Sequence, residues 1–239
     1  MPARDAIALA ADLPLQQATS LYDRISPHVG IVKVGLSLFV EHGPLAVKAF
    51  ADLGARVFLD LKLHDIPNTV ELASARAAAL GVSYLTVHAS GGTDMLVAAV
   101  RGAESGAKTS GRAPPEILAV TVLTSMNSAT FNEVVPSSEI DEQVDRLARV
   151  AVKANVGGLV CSAREVSRLR QMKSDLILCT PGIRPEGSAA NDQSRVETPA
   201  TAIASGATFL VIGRPIYAAI DPLDAARRIE CEVQSALSA

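Results

Sequence analysis

The sequence predicts an α/β protein whose strands close into a (β/α)8 TIM barrel, a parallel eight-stranded barrel ringed by helices, and three observations carry that expectation. Eight short apolar runs recur with helical patterns between them, and regular strand–helix alternation builds a parallel sheet. The length, 239 residues, is close to the roughly 250 typical of such a barrel. Hydrophobic residues make up 49% of the chain and aromatic ones only 3%, which suits closely packed helices and β-branched strands better than an aromatic sandwich core. Periodicity alone also admits an open doubly wound sheet. For this length a single domain spanning residues 1–239 is expected.

Taken in order, the strands fall at 6–11, 30–35, 56–62, 83–88, 117–123, 157–161, 176–180 and 208–212. Helical patterns occupy 15–25, 44–53, 70–80, 94–103, 139–154, 163–173, 199–205 and 222–237. Gly54, Gly81 and Gly206 stand just beyond three of these helices, where glycine supplies the left-handed cap before the chain opens its next strand. The unit repeats in structure without repeating in sequence. Two connections are long for barrel loops: residues 105–115, rich in Gly, Ser and Pro, and residues 181–196, which are expected to form a lid.

Composition narrows the partners. A net charge of -3, from 22 basic and 25 acidic residues, gives no general reason to expect nucleic acid or an anionic membrane, so any anion site must be local. Cys161, Cys179 and Cys231 are odd in number and lack metal-ligand spacing, which points to neither a disulfide framework nor a zinc site and fits a reducing cytoplasm. The start, Met1-Pro2-Ala3-Arg4-Asp5, runs straight into a strand pattern without the layout of a signal peptide. No apolar run approaches the roughly 20 residues of a membrane span.

One stretch places charges where a folding core would not: Val57-Phe58-Leu59-Asp60-Leu61-Lys62-Leu63-His64-Asp65-Ile66-Pro67-Asn68-Thr69. In a strand, Asp60 and Lys62 share one face while Leu59, Leu61 and Leu63 take the other. Pro67 cannot donate to a ladder, so Asp65-Ile66-Pro67 reads as the loop at the strand's C-terminal end, where barrel active sites sit. A structural ion pair would explain Asp60 and Lys62 poorly, since such pairs add little net stability after desolvation. The tridecapeptide resembles the signature of the orotidine 5'-phosphate decarboxylase family, an Asp-x-Lys-x-x-Asp core followed by Ile-Pro-x-Thr.

Other positions agree with that resemblance. Lys33 is a lone cation in Gly30-Ile31-Val32-Lys33-Val34-Gly35. By itself it would read as a snorkelling lysine at a strand end, but in a barrel it can converge with Asp60 and Lys62 from the next strand. The resemblance makes Lys33, Asp60, Lys62 and Asp65 the alternating charged array of the active site. In such an array an acid beside each lysine favours its charged form, and a lysine can then donate a proton. Asp12 ends the first strand in Ala10-Ala11-Asp12; it could cap the following helix, whereas the resemblance gives it the substrate ribose. The family usually has leucine where Ala11 stands.

Phe209-Leu210-Val211-Ile212-Gly213-Arg214 ends the last strand in glycine and arginine. Glycine lets backbone N–H groups approach an anion, arginine supplies a bidentate fork, and the last two strands carry the usual barrel phosphate site. The resemblance assigns Gly213 and Arg214 the same role. It further implies that the loop opening at Pro181 grips the phosphate, with Arg184 and Gln193 as contacts, and that Thr124 meets the pyrimidine. Arg184 alone would read as a solvated loop charge. Four histidines, His28, His42, His64 and His88, share no ligand spacing, and none is assigned a catalytic role. Walker and dinucleotide-binding glycine patterns are absent.

The resemblance spans the chain from Ala6 to the final helix. It implies cofactor-free and metal-free decarboxylation of orotidine 5'-phosphate to uridine 5'-phosphate, the last step of de novo pyrimidine synthesis. Lys62 would act as the proton donor and Asp60 would face the departing carboxylate. A homodimer is also implied, with Asp65 and Thr69 reaching the neighbouring subunit's site. Two alternatives stand beside it. One is a metal-dependent sugar-phosphate decarboxylase or aldolase of the same barrel superfamily, in which an acid on the second strand holds the metal; Lys33 would repel that ion. The other is a non-catalytic nucleotide-binding barrel, which has no use for a proton-donating lysine.

Overall fold

A computed structural model describes residues 1–185 and 197–238. Its strands are β1 (Ile7–Ala10), β2 (Ile31–Gly35), β3 (Arg56–Leu63), β4 (Tyr84–His88), β5 (Glu116–Val120), β6 (Gly158–Val160), β7 (Ile177–Pro181) and β8 (Phe209–Ile212). They pair in sequence order, all parallel, and β8 closes on β1 through Ile7–Leu210, Ala8–Val211 and Leu9–Ile212. Closure excludes the open doubly wound sheet.

Alternation along each strand makes two cores. Inward residues Ala8, Ile31, Phe58, Leu118, Cys179 and Phe209 fill the barrel, with Tyr84 packed against them. Outward residues such as Leu9, Val32, Leu59 and Leu85 meet the helices in a second, larger cluster. Phe58 crosses Tyr84 and Phe209 edge to face, with ring centroids 6.1 and 5.8 Å apart. Burying each of these phenylalanines stabilises the fold by roughly 1.5–3 kcal/mol. Tyr84 and Phe209 open their strands, so this aromatic layer fills the N-terminal part of the barrel interior.

Gly54, Gly81 and Gly206 have φ of +78°, +79° and +104°, and each provides the predicted left-handed cap. Residues 105–115 depart from expectation. The helix that begins after β4 runs Gly92–Ser110 and ends at Gly111, whose φ is +65°. Ser105, Gly106 and Ser110, which suggested a loop, are helical, and Gly106 lies with Gly102 on the face packed against the neighbouring helix Pro67–Ala79, while the two serines are exposed. A Cβ at Gly102 would lie 2.1 Å from the Glu71 carbonyl oxygen, and one at Gly106 would lie 2.1 Å from that of Ala75. These glycines serve close backbone approach. Arg101 clamps the same pair of helices by donating from Nε to Glu71 Oε1 at 2.8 Å.

The helix after β3 begins at Pro67, three residues earlier than the expected 70, because proline is tolerated at the first helical position. Three short helices, Leu36–His42, Ser128–Asn132 and Arg214–Tyr217, decorate the C-terminal side of β2, β5 and β8. Of the expected lid, residues 186–196 lie outside the described residues.

Candidate active site

The charges gather at the C-terminal ends of β1, β2 and β3. Parallel pairing sets Ala10 beside Lys33 and Gly35 beside Asp60, so successive strands deliver successive side chains to one rim. Asp12 follows β1 in a tight turn, its N–H donating to the Ala10 carbonyl at 2.9 Å. Lys33 Nζ stands 3.4 Å from Asp12 Oδ1 and 3.7 Å from Asp60 Oδ2. Lys62 Nζ lies 2.8 Å from both oxygens of Asp60. The order Asp12, Lys33, Asp60, Lys62 therefore alternates in sign within one chain. Gly35 leaves the room this needs, since a Cβ there would come within 2.9 Å of Lys33 Nζ.

Leu59 belongs to the outer core, with Leu61 and Leu63 packed against it, while Asp60 and Lys62 meet on the other side. The faces are those expected, but the strand is not regular. Beyond Leu59–Leu85 the β3–β4 ladder shifts register before resuming at Leu63–Val87, and Lys62 has φ +50°. Thr86, fully buried on β4, accepts the Lys62 N–H at 2.9 Å and donates to Asp60 Oδ1 at 2.9 Å.

A cavity of about 220 Å³ opens beside these charges. Lys33, Asp60 and Lys62 form one wall, Phe58, Val120, Val160, Cys179 and Val211 form an apolar floor, and Thr124, Ser125 and Pro181 stand at the rim. A dry cavity of about 150 Å³ already holds a benzene ring. The space therefore suits a planar ring with ionic groups along one edge and nothing polar beneath it.

The sequence-predicted anion contacts follow β7 and β8. Arg184 is buried rather than solvated; its backbone N–H donates to the Glu197 carbonyl at 3.0 Å and its Nη1 to the Ile183 carbonyl at 3.0 Å. Gly213 packs within 3.3 Å of the Ala10 and Tyr217 side chains, measured from the position a Cβ would take, and Arg214 opens the short helix Arg214–Tyr217. β7 and β8 are neighbours, with Pro181 beside Val211. Gln193 lies outside the described residues. Asp65 and Thr69 stand apart from the array: both are exposed, and Asp65 Oδ1 accepts the Ile66 N–H at 2.7 Å.

Burial shifts two groups near the array toward their neutral forms. His88 lies with its ring 5.4 Å from that of His64; burial pushes its pKa below the ordinary imidazole value, and His64 and Lys62 push it the same way. Burial raises the Cys179 thiol well above its usual range, so this floor residue acts as a small apolar group. Among the described residues no cluster of three or more His, Cys, Asp or Glu has metal-holding geometry. Thr86 and Gly35 were not singled out from the sequence: threonine in a strand and glycine at a strand end are ordinary choices, and only the register shift and the Lys33 path reveal their use.

Comparison with known proteins agrees with this geometry. The family model described as "Orotidine 5'-phosphate decarboxylase / HUMPS family" matches residues 5–229. The orotidine 5'-phosphate decarboxylase of Anaeromyxobacter sp. (strain K) is 49% identical over 231 residues, covering 96% of this chain and 98% of that protein. That of Moorella thermoacetica is 47% identical over 237 residues, with 98% and 94% covered. A crystal structure of orotidine 5'-phosphate decarboxylase from Lactobacillus acidophilus superposes with a TM-score of 0.83 at 37% identity, covering 96% of this chain and 99% of the other. A match along nearly the whole chain, on a barrel whose charged rim carries the family's signature, shows that the chain belongs to the orotidine 5'-phosphate decarboxylase / HUMPS family.

Proposed function

We propose that the chain, acting as one domain, decarboxylates orotidine 5'-phosphate to uridine 5'-phosphate and carbon dioxide, the closing step of de novo pyrimidine synthesis. The observation that carries this reading is the alternating row Asp12, Lys33, Asp60, Lys62 along one wall of a ring-sized cavity. The pyrimidine enters above the apolar floor and meets Thr124. Its C6–carboxylate bond breaks, the electron pair stays on C6, and carbon dioxide leaves past Asp60. A fixed ammonium at Lys62 stabilises the developing charge and then gives its proton to C6. Lys33 neutralises Asp60 from the other side, Asp12 takes the ribose, and Pro181, Arg184, Gln193, Gly213 and Arg214 hold the phosphate. No cofactor is required, since the ammonium supplies both the charge and the proton.

The working unit in this reading is a homodimer in the cytoplasm, with Asp65 and Thr69 serving the partner's site. Their exposure supports it, as do exposed apolar side chains next to them in the chain: Ile66 is 66% exposed and Leu72 57%. Apolar side chains contiguous with a functional loop are what a self-complementary two-fold interface buries. No helix among the described residues is long and apolar enough to cross a membrane.

Against a metal-dependent sugar-phosphate enzyme stands Lys33, whose ammonium occupies the space between Asp12 and Asp60 where a cation would bind. Against a non-catalytic nucleotide binder stands the same row of alternating charges around the buried carboxylate of Asp60, which binding alone does not need. Release of carbon dioxide from orotidine 5'-phosphate in excess chelator tests all three. Turnover is expected; turnover only with added divalent metal would favour the first rival, and binding without turnover the second.

A further inference from the structure

Thr86 lies outside the charged row and outside the cavity wall, yet it touches both residues on which the proposed chemistry turns. β3 and β4 are in register at Leu59–Leu85 and again at Leu63–Val87. Three residues of β3, Asp60, Leu61 and Lys62, therefore stand opposite Thr86 alone. A bulge of this kind interrupts the ladder and re-aims the bulged side chains. It also puts Lys62 at φ +50°, a conformation that residues with a side chain adopt only where the surroundings enforce it.

The Thr86 hydroxyl supplies that enforcement. It accepts the Lys62 N–H at 2.9 Å, standing in for the missing ladder partner, and donates its one proton to Asp60 Oδ1 at 2.9 Å. Lys62 Nζ reaches the same oxygen at 2.8 Å, so backbone, hydroxyl, carboxylate and ammonium close a ring. We infer that Thr86 is a positioning residue for decarboxylation: through this ring it fixes both the carboxylate of Asp60 and the backbone from which Lys62 reaches the reacting carbon. The inference rests on the decarboxylase reading of the site. Because Thr86 is fully buried, solvent does not replace the two hydrogen bonds, and a misaimed ammonium costs more in the transition state than in the bound state.

The test compares T86V, which keeps the shape and removes the hydroxyl, with T86S, which keeps the hydroxyl. In T86V, kcat on orotidine 5'-phosphate should fall roughly 10- to 100-fold, the scale of a slightly misplaced catalytic group, while KM and the Kd for uridine 5'-phosphate change by less than about threefold. T86S should stay within about threefold of the parent in all three. Should T86V not fold, T86C makes the same comparison with a weaker donor and acceptor, and its kcat should lie clearly below that of T86S. Amide exchange at Lys62 reads the hydrogen bond independently of activity and should be faster in T86V or T86C than in the parent and in T86S. A kcat unchanged by removal of the hydroxyl, equal impairment of T86S, or unchanged Lys62 exchange would overturn the inference. If the parent itself fails to decarboxylate, the functional reading falls, and Lys62 exchange alone then decides whether Thr86 holds this backbone.

Discussion

Lys62 Nζ sits 2.8 Å from each oxygen of Asp60, so the ammonium is centred on the carboxylate instead of swinging from a flexible stem. A lysine held this way presents its charge and its proton in one direction. An anionic group entering beside the pair is drawn by Lys62 and repelled by Asp60, and loss of that group as a neutral molecule relieves the repulsion. Several measurable consequences depend on this geometry and on the surfaces around it.

The exposed position of Asp65 gives the first. K62A and D65A should each be inactive alone. After random subunit exchange in an equal mixture, half of the dimers are mixed and each mixed dimer holds one complete site, so about a quarter of parental sites should return. Zero recovery with exchange confirmed would mean that Asp65 acts within its own barrel.

Arg214 is assigned to the phosphate, remote from the reacting carbon. R214A should lower kcat/KM on orotidine 5'-phosphate by about 10- to 150-fold, corresponding to the roughly 1.5–3 kcal/mol of a hydrogen bond to a charged group. On orotidine, which lacks the phosphate, it should change nothing. Equal losses on both substrates would move the phosphate elsewhere.

At Gly106, helix propensity and packing oppose each other. Alanine gains about 0.8–1 kcal/mol of propensity, but its Cβ would lie 2.1 Å from the Ala75 carbonyl oxygen, and overpacking of this kind costs about 1–3 kcal/mol or more. G106A should therefore lower Tm by a few degrees, at about 2–4 °C per kcal/mol for a chain of this size. A raised Tm would show that the two helices separate easily.

His88 predicts a pH dependence. Its folded pKa lies below the ordinary value of 6.5, chiefly through burial, so in the window beneath 6.5 the unfolded chain binds more protons than the folded one. The stability it contributes is complete above 6.5 and is lost as pH falls from there through the folded pKa. Urea midpoints measured near pH 7.5 and 5.5 should fall less in H88N than in the parent. Identical falls would assign the acid sensitivity to other groups.

Much of this was legible in the sequence for a simple reason. Buried parallel strands are apolar runs, so Lys33, Asp60 and Lys62 stand out as interruptions, and glycine after a helix marks a left-handed cap at Gly54, Gly81 and Gly206. What escaped has equally physical causes. Gly106 looks like a loop residue because close helix packing and loop flexibility both call for a missing side chain. The short helix Leu36–His42 follows Gly35 without an intervening turn, leaving no punctuation to read. Thr86 is the β-branched residue a strand prefers on any face, and its role depends on a register shift that arises only when β3 and β4 pair.

The central claim is that Lys62 delivers the proton that replaces the carboxylate. The most direct measurement is decarboxylation of orotidine 5'-phosphate in heavy water with excess chelator, counting carbon dioxide released and deuterium at C6 of the product by NMR. The parent should incorporate one deuterium for each carbon dioxide released, while K62A still binds uridine 5'-phosphate and loses turnover by roughly 10²–10⁴-fold or more, the scale of a positioned general acid. Failure of the parent to form uridine 5'-phosphate, or undiminished turnover in K62A, would contradict the account.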